Sequence, residues 1–287
     1  MEVRTILVVG AGTMGHGIAQ VAAQAGYGVR LYDVDEKAVA AGLARIRGNL
    51  DKGVEKGKVL AADRDAALAR VTTTTNLRSA AEGVDLVVEA APERLDLKRR
   101  IFGEVSATAP AHAVLASNTS SLSIARIAAA TDRPTRVVGM HFFNPVHLKP
   151  LLEIVRAEGT SAEALEAAVG VGKRMGKTVV VVKDSPGFAT SRLGIALGLE
   201  AMRMVEEGVA SPADIDTAME KGYGHAMGPL RTTDLVGLDV RLEIARYLDT
   251  CFPGGRFTPP ALLERMVAEG RLGQKAGRGF YDWTPSA

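Results

Sequence analysis

His141 and Glu153 are the residues whose types and spacing most directly suggest chemistry. His141 follows the apolar run Arg136-Val137-Val138-Gly139-Met140, and Glu153 is the lone carboxylate inside Leu151-Leu152-Glu153-Ile154-Val155. A charge set in an apolar strand needs a partner to offset its desolvation. A carboxylate beside an imidazole fixes the tautomer and stabilises the imidazolium that forms on proton uptake. Such a pair suits a general base that takes a hydroxyl proton. The other histidines are weaker candidates. His16 lies on a helix after a glycine turn, His112 precedes a strand, His147 lies in the loop from Pro145 to Pro150, and His225 sits between Gly224 and Ala226.

Ser117 and Asn118 follow a second apolar run, Ala113-Val114-Leu115-Ala116, and Asn144 lies just beyond His141 in His141-Phe142-Phe143-Asn144-Pro145. If both runs are strands of an open α/β sheet, Ser117, Asn118, His141 and Asn144 stand beyond the carboxyl ends of strands. That is where such sheets bind ligands. Ser121, in the same polar run, reads as a helix cap.

The third constellation is Gly10-Ala11-Gly12-Thr13-Met14-Gly15, directly after the β-rich run Thr5–Val9 and directly before a helical stretch. In that context Gly10 allows the turn, Gly12 lets backbone approach a pyrophosphate, and Gly15 lets helix and strand pack closely. The helix N-terminus adds free N–H groups and partial positive charge for phosphates. Asp33 ends the next short apolar run, 33 − 15 = 18 residues after Gly15, near the spacing of about 20 at which an acidic residue takes ribose hydroxyls. A carboxylate there repels a 2′-phosphate, so the pattern points to NAD rather than NADP. NAD and a general base together make hydride chemistry on an alcohol carbon the natural reading.

A basic stripe completes the set. Arg45, Asn49, Lys52 and Lys56 fall on one face of a helix. They read as a solvated surface or as a clamp for a polyanionic tail. Gly48, Gly53 and Gly57 should weaken that helix and leave it locally mobile.

These residues need a scaffold, and the sequence outlines one. Strand-like runs at Thr5–Val9, Gly28–Tyr32, Asp85–Glu89, Ala113–Ala116, Arg136–His141 and Thr178–Val182 alternate with helical stretches, including one capped by Asp35 and running to about Gly53. Leu151–Val155 is an extra strand of undetermined direction. The alternation predicts a Rossmann-type, doubly wound, mostly parallel sheet. After the turn-rich Lys183-Asp184-Ser185-Pro186-Gly187 the periodicity is helical only, at Leu193–Glu207, Pro212–Lys221, Leu238–Leu248 and Pro260–Ala268. We expect a nucleotide-binding domain over residues 1–184 and a smaller all-α domain over 185–287.

Composition bounds the reading. The 287 residues suit about two domains. Hydrophobic residues at 47% and charged residues at 24% exclude a disordered chain. Thirty-five basic against thirty-three acidic residues leave a net charge of +2, which argues against a general nucleic-acid or membrane-surface binder. No Asp, Glu, Lys or Arg occurs between Arg4 and Arg30, but six glycines and several polar residues interrupt that stretch, unlike a signal or spanning segment. Cys251 is the single cysteine, so no internal disulfide forms and a reducing, cytoplasmic setting fits. Asp249-Thr250-Cys251-Phe252 offers the thiol no base, and it reads as a filler residue.

With these residues in view, the chain resembles the 3-hydroxyacyl-CoA dehydrogenase family over nearly its whole length. The marks are GAGTMGHGIA at Gly10–Ala19, VVEAAPE at Val87–Glu93, SNTSSL at Ser117–Leu122, GMHFFNP at Gly139–Pro145, DSPGF at Asp184–Phe188, MGP at Met227–Pro229 and GRGFY at Gly277–Tyr281. The resemblance implies His141 as catalytic base with Glu153 as its partner. It places Ser117 and Asn118 beside substrate and nicotinamide, and Glu93, Lys98, Asn144 and Lys275 at NAD-contacting positions. Asn144 would also touch substrate. Lys52 and Lys56 would lie near the phosphates of an acyl-CoA, and the helical domain would form a homodimer. The family commonly carries Asn-Arg after the PGF motif, the Asn at the substrate site. Here Ser191-Arg192 stands there, which bears on substrate identity more than on reaction class. Two alternatives share the patterns: a dehydrogenase of a small sugar acid, of the gulonate type, and a non-catalytic NAD-binding protein like λ-crystallin.

Overall fold

Continuous apolar runs, rather than alternating ones, make the central strands, as both faces of a parallel sheet are covered by helices. The computed structural model describes residues 2–284; the outermost ends of the two expected domains, residues 1 and 285–287, lie outside them. One compact unit ends at Ser185 and a second begins at Pro186.

The first unit runs β1 (Thr5–Val9), α1 (Gly15–Gln24), β2 (Gly28–Tyr32), α2 (Glu36–Glu55), α3 (Ala61–Ala69), β3 (Val71–Thr74), α4 (Leu77–Ala81), β4 (Leu86–Glu89), α5 (Leu95–Ser106), β5 (Val114–Ser117), α6 (Ile124–Ala128), β6 (Val137–Phe142), β7 (Leu151–Arg156), α7 (Ala162–Arg174) and β8 (Thr178–Lys183). Its eight strands form one sheet in the order β3-β2-β1-β4-β5-β6-β7-β8. All neighbours are parallel except β6 and β7. The order reverses between β1 and β4, which opens a crevice at their carboxyl ends. Ile6, Val8, Ile18, Leu31, Val88 and Val138 belong to the core beneath it.

The second unit is helical: α8 (Thr190–Glu206), α9 (Pro212–Tyr223), α10 (Pro229–Val236), α11 (Leu238–Cys251) and α12 (Ala261–Ala268). Ile195, Leu199, Leu230, Leu242 and Leu263 are among its core residues. Buried Asp234 fastens the closing segment, accepting from the backbone N–H of Phe280 and of Tyr281 and from the Trp283 indole N–H, all at 2.8–2.9 Å.

Some features depart from the sequence reading. β3, α3, α4 and α10 are additional to it. β3 is a threonine-rich edge strand, β-branched but without an apolar run, and α3 buries only Ala67. α2 is capped by Asp35, whose carboxylate accepts from the Lys37 N–H at 2.9 Å. It continues through Gly48 and Gly53 to Glu55. Gly53 makes room for Val59, whose side chain would lie 2.7 Å from an added Cβ.

Candidate active site

The glycine turn follows β1, and the segment Ala90–Pro92 follows the neighbouring β4. Together with Asp33, at the end of β2, they line a cleft of about 600 Å³. Gly10 has φ +101°, and a Cβ there would stand 2.8 Å from the Ala90 carbonyl oxygen. A Cβ at Gly12 would meet nothing within 4 Å, so this backbone is open to a ligand group. A Cβ at Gly15 would fall 1.6 Å from the Gly10 carbonyl oxygen. Gly15 therefore closes the turn on itself, a tighter constraint than the helix–strand packing expected of it. Thr13 is exposed and Met14 half-buried at the start of α1, which has no side-chain cap and no acid in its first turn. The Asp33 carboxylate accepts from the Ala11 and Val34 N–H groups, each at 2.8 Å on a different oxygen. Each oxygen keeps acceptor capacity for a ribose hydroxyl. The cleft, bare backbone and fixed carboxylate fit the pyrophosphate and adenosine ribose of NAD.

On β6, buried His141 stands directly opposite Glu153 on β7, because these two strands are antiparallel. His141 Nδ1 lies 2.7 Å from Glu153 Oε2, and Glu153 is fully buried. With a buried carboxylate on one side, Nδ1 carries a proton, which leaves Nε2 as the proton-accepting nitrogen. The His141 ring also packs against Phe143, with ring centroids 4.5 Å apart. Next to β6, the Asn118 side-chain oxygen accepts from the Phe142 N–H at 2.8 Å, tying the loop after β5 to the strand carrying the histidine. Asn144 is exposed just past the end of β6.

Ser117 and Lys98 are both fully buried, with their polar groups bonded inside the protein. The reason is Glu89, also fully buried, at the end of β4. Glu89 accepts from the Ser117 hydroxyl at 2.6 Å, from the Lys98 ammonium at 2.8 and 3.0 Å, and from the Ala91 N–H at 2.6 Å. Lys98 donates besides to the Ala91 carbonyl at 3.1 Å and stands 3.4 Å from Glu93. Glu93 gathers the loop beyond Asn118, accepting from the Thr119 hydroxyl at 2.6 Å and the Ser120 N–H at 2.9 Å. Burial pushes the Glu93 carboxyl up, but the Lys98 ammonium and the Thr119 and Ser120 donors outweigh it and hold the group below the usual carboxylate range. Ser120 and Ser121 of this loop are half-buried, and their hydroxyls donate to Glu93 at 3.3 and 3.4 Å. Sequence reasoning missed Glu89, although the rule that picked out Glu153, a lone carboxylate in an apolar strand, applies equally to Leu86-Val87-Val88-Glu89.

The basic stripe divides. Asn49 turns inward and donates to the Gln20 side chain on α1 at 3.0 Å. Lys52 and Lys56 are exposed, and neither ammonium is engaged by a described residue. In the second unit, Ser191 is half-buried in the first turn of α8, and Lys275 is paired with Asp239 at 2.6 Å.

Comparison with known proteins decides the family. Residues 5–185 match the 3-hydroxyacyl-CoA dehydrogenase NAD binding domain, and residues 187–283 match the C-terminal domain of the same family. The chain belongs to the 3-hydroxyacyl-CoA dehydrogenase family. It is an NAD-dependent oxidoreductase. The chain is 44% identical, over 99% of its length and 98% of the relative's, to the probable 3-hydroxybutyryl-CoA dehydrogenase of Bacillus subtilis. It is 40% identical over 99% of its length to a 3-hydroxyadipyl-CoA dehydrogenase of Escherichia coli, of which the match covers 60%. Among solved structures of dehydrogenases in this family, (S)-3-hydroxybutyryl-CoA dehydrogenase from Ralstonia eutropha superposes with a TM-score of 0.96 at 41% identity, covering 99% of this chain and all of that one.

Proposed function

We propose that the protein oxidises a short-chain 3-hydroxyacyl-CoA, such as 3-hydroxybutyryl-CoA, to the 3-oxoacyl-CoA, and runs the reverse reduction with the same groups. The observation that carries this reading is the buried His141–Glu153 pair on the sheet that also holds the nucleotide cleft. NAD, when bound, supplies the hydride acceptor. His141 Nε2 takes the proton of the 3-hydroxyl as the C3–H bond breaks, and Glu153 holds the ring and offsets the imidazolium charge. The Asn118 amide, with its oxygen fixed on Phe142, offers its N–H groups to the substrate oxygens. We assign the positioning hydroxyl of this loop to Ser120 in place of Ser117. Glu93 and Asn144 face the cofactor side, and Lys98 acts on it only through Glu93 and Glu89. Ser191 at the substrate and Lys275 at the cofactor are kept on the family resemblance.

Lys52 and Lys56, exposed and unengaged, suit the phosphates of the CoA moiety. The exposed apolar residues Leu235, Val236 and Val240 of the second unit support a homodimer through that unit, which sedimentation velocity measures directly. We further place the protein in the cytoplasm and in fatty acid metabolism. The test of substrate is steady-state NADH oxidation with 3-oxoacyl-CoA thioesters from C4 to C16, an ω-carboxylated acyl chain included. Highest kcat/KM at C4 supports the reading; a peak at long or ω-carboxylated chains replaces the short-chain assignment. Replacing Lys52 and Lys56 together by Glu should raise KM for the CoA thioester about tenfold or more at low salt. An unchanged KM removes them from the substrate site.

A further inference from the structure

The first unit holds a second cavity, of about 420 Å³, separate in its lining from the nucleotide cleft. Three stretches line it: the end of α1, including Gln24; the loop from His147 to Pro150; and Arg174 to Lys177, where α7 turns into β8. The lining carries three full cations and an imidazole, in Lys149, Arg174, Lys177 and His147, and no carboxylate.

The two lysines retain donor capacity. Lys177 uses two of its donors on the carbonyls of Val146 and Lys149, and an ammonium has three. The Lys149 ammonium makes no bond to a described residue and is exposed. Arg174 donates through Nε to the Ala25 carbonyl at 3.0 Å and lies over the Tyr27 ring. His147 Nδ1 is buried without a hydrogen-bond partner. Burial, then the charges of His16 and Lys177, depress the His147 imidazole, and burial depresses the Lys177 ammonium. On its outer side Arg174 borders a cleft with Glu2, Glu163 and Glu166, so the unneutralised charge in the cavity resides chiefly on Lys149 and Lys177.

We propose that this cavity binds a phosphate group bearing two or more negative charges. Like charges gathered around a concave surface are stabilised by an anion that meets several of them at once. Two sources share that chemistry: free inorganic phosphate or pyrophosphate, and the phosphates of a CoA thioester, which in that case are not held by Lys52 and Lys56. The CoA source rests on the function proposed above; the anion site itself does not.

The test is calorimetric titration of inorganic pyrophosphate into the full chain with saturating NADH, which keeps the glycine turn filled. Lys149→Glu is the diagnostic variant, because this side chain is exposed and bonded to no described residue. Wild type should bind, and K149E should bind at least about tenfold more weakly. No binding by wild type at millimolar pyrophosphate, or equal affinity in K149E, overturns the proposal. The source is read separately from KM for acetoacetyl-CoA and for the acetoacetyl thioester of N-acetylcysteamine, which has no phosphates. If K149E raises only the first KM, and pyrophosphate competes with acetoacetyl-CoA, the CoA phosphates occupy the cavity. If both KM values stay unchanged while pyrophosphate binding is lost, the ligand is the free anion. A chain that turns over neither thioester defeats the proposed function and leaves the binding result standing.

Discussion

At the residue scale, two serines of one motif have opposite fates. The Ser117 hydroxyl is buried on Glu89 at 2.6 Å, whereas the Ser120 hydroxyl, half-buried, makes a longer bond of 3.3 Å to Glu93. Ser117→Ala leaves a buried carboxylate short of a donor and should cost about 1–3 kcal/mol of stability in denaturant unfolding, with KM for the acyl-CoA little changed. Ser120→Ala should show the reverse, near-native stability with reduced kcat/KM. A large kinetic defect in Ser117→Ala with unaltered stability would restore the sequence assignment. Glu93 gives a pH-dependent test. Its folded carboxyl is held below the ordinary value of 4.5, so the folded chain binds fewer protons there than the unfolded one. Its contribution is fully present above about pH 4.5 and is lost as pH falls through the depressed folded value. The stability gap between wild type and Glu93→Gln should be largest near pH 7 and narrow below pH 4.5. A gap independent of pH contradicts the ionised role.

At the element scale, the site is assembled by strand ends. Glu89 on β4 pairs in register with Ser117 on β5, and Ser117 with Gly139 on β6, while His141 pairs with Glu153 on β7. The antiparallel turn at β7 is what sets a carboxylate straight across from the histidine. This direction was not legible in the sequence, since a short apolar run reads the same both ways. The partnership of His141 and Glu153 was legible, because a lone charge in such a run demands an opposite partner. The glycine turn and Asp33 were legible for a related reason: backbone geometry admits few residues there. By contrast β3 and α3 carry little apolar signal, being an edge strand and a helix that buries one alanine. The burial of Lys98 was hidden too, as a lysine on an amphipathic helix reads as solvated. Lys98→Met on α5 would strand Glu89 without its cation and should destabilise the first unit by about 3–5 kcal/mol. Thermal unfolding would show it, and a loss under about 1 kcal/mol would mean that Glu89 has another source of compensation.

At the scale of the whole molecule, a net charge of +2 is compatible with two phosphate-bearing ligands. The pyrophosphate of the cofactor would be met by neutral glycine backbone and a helix end, and an acyl-CoA would need only a few local cations. The overall balance therefore speaks to the absence of a broad basic surface, and the chemistry is set by where single groups are held. All of the proposed mechanism turns on one of those groups, the imidazole held by Glu153. The most direct measurement is the single-turnover rate of NADH oxidation with acetoacetyl-CoA in wild type, His141→Ala and Glu153→Gln. Wild type should turn over, and His141→Ala should lose about 10²–10⁴-fold in the chemical step, with NADH affinity retained. A smaller loss in the same step is predicted for Glu153→Gln. Near-wild-type chemistry in His141→Ala would contradict the proposed mechanism.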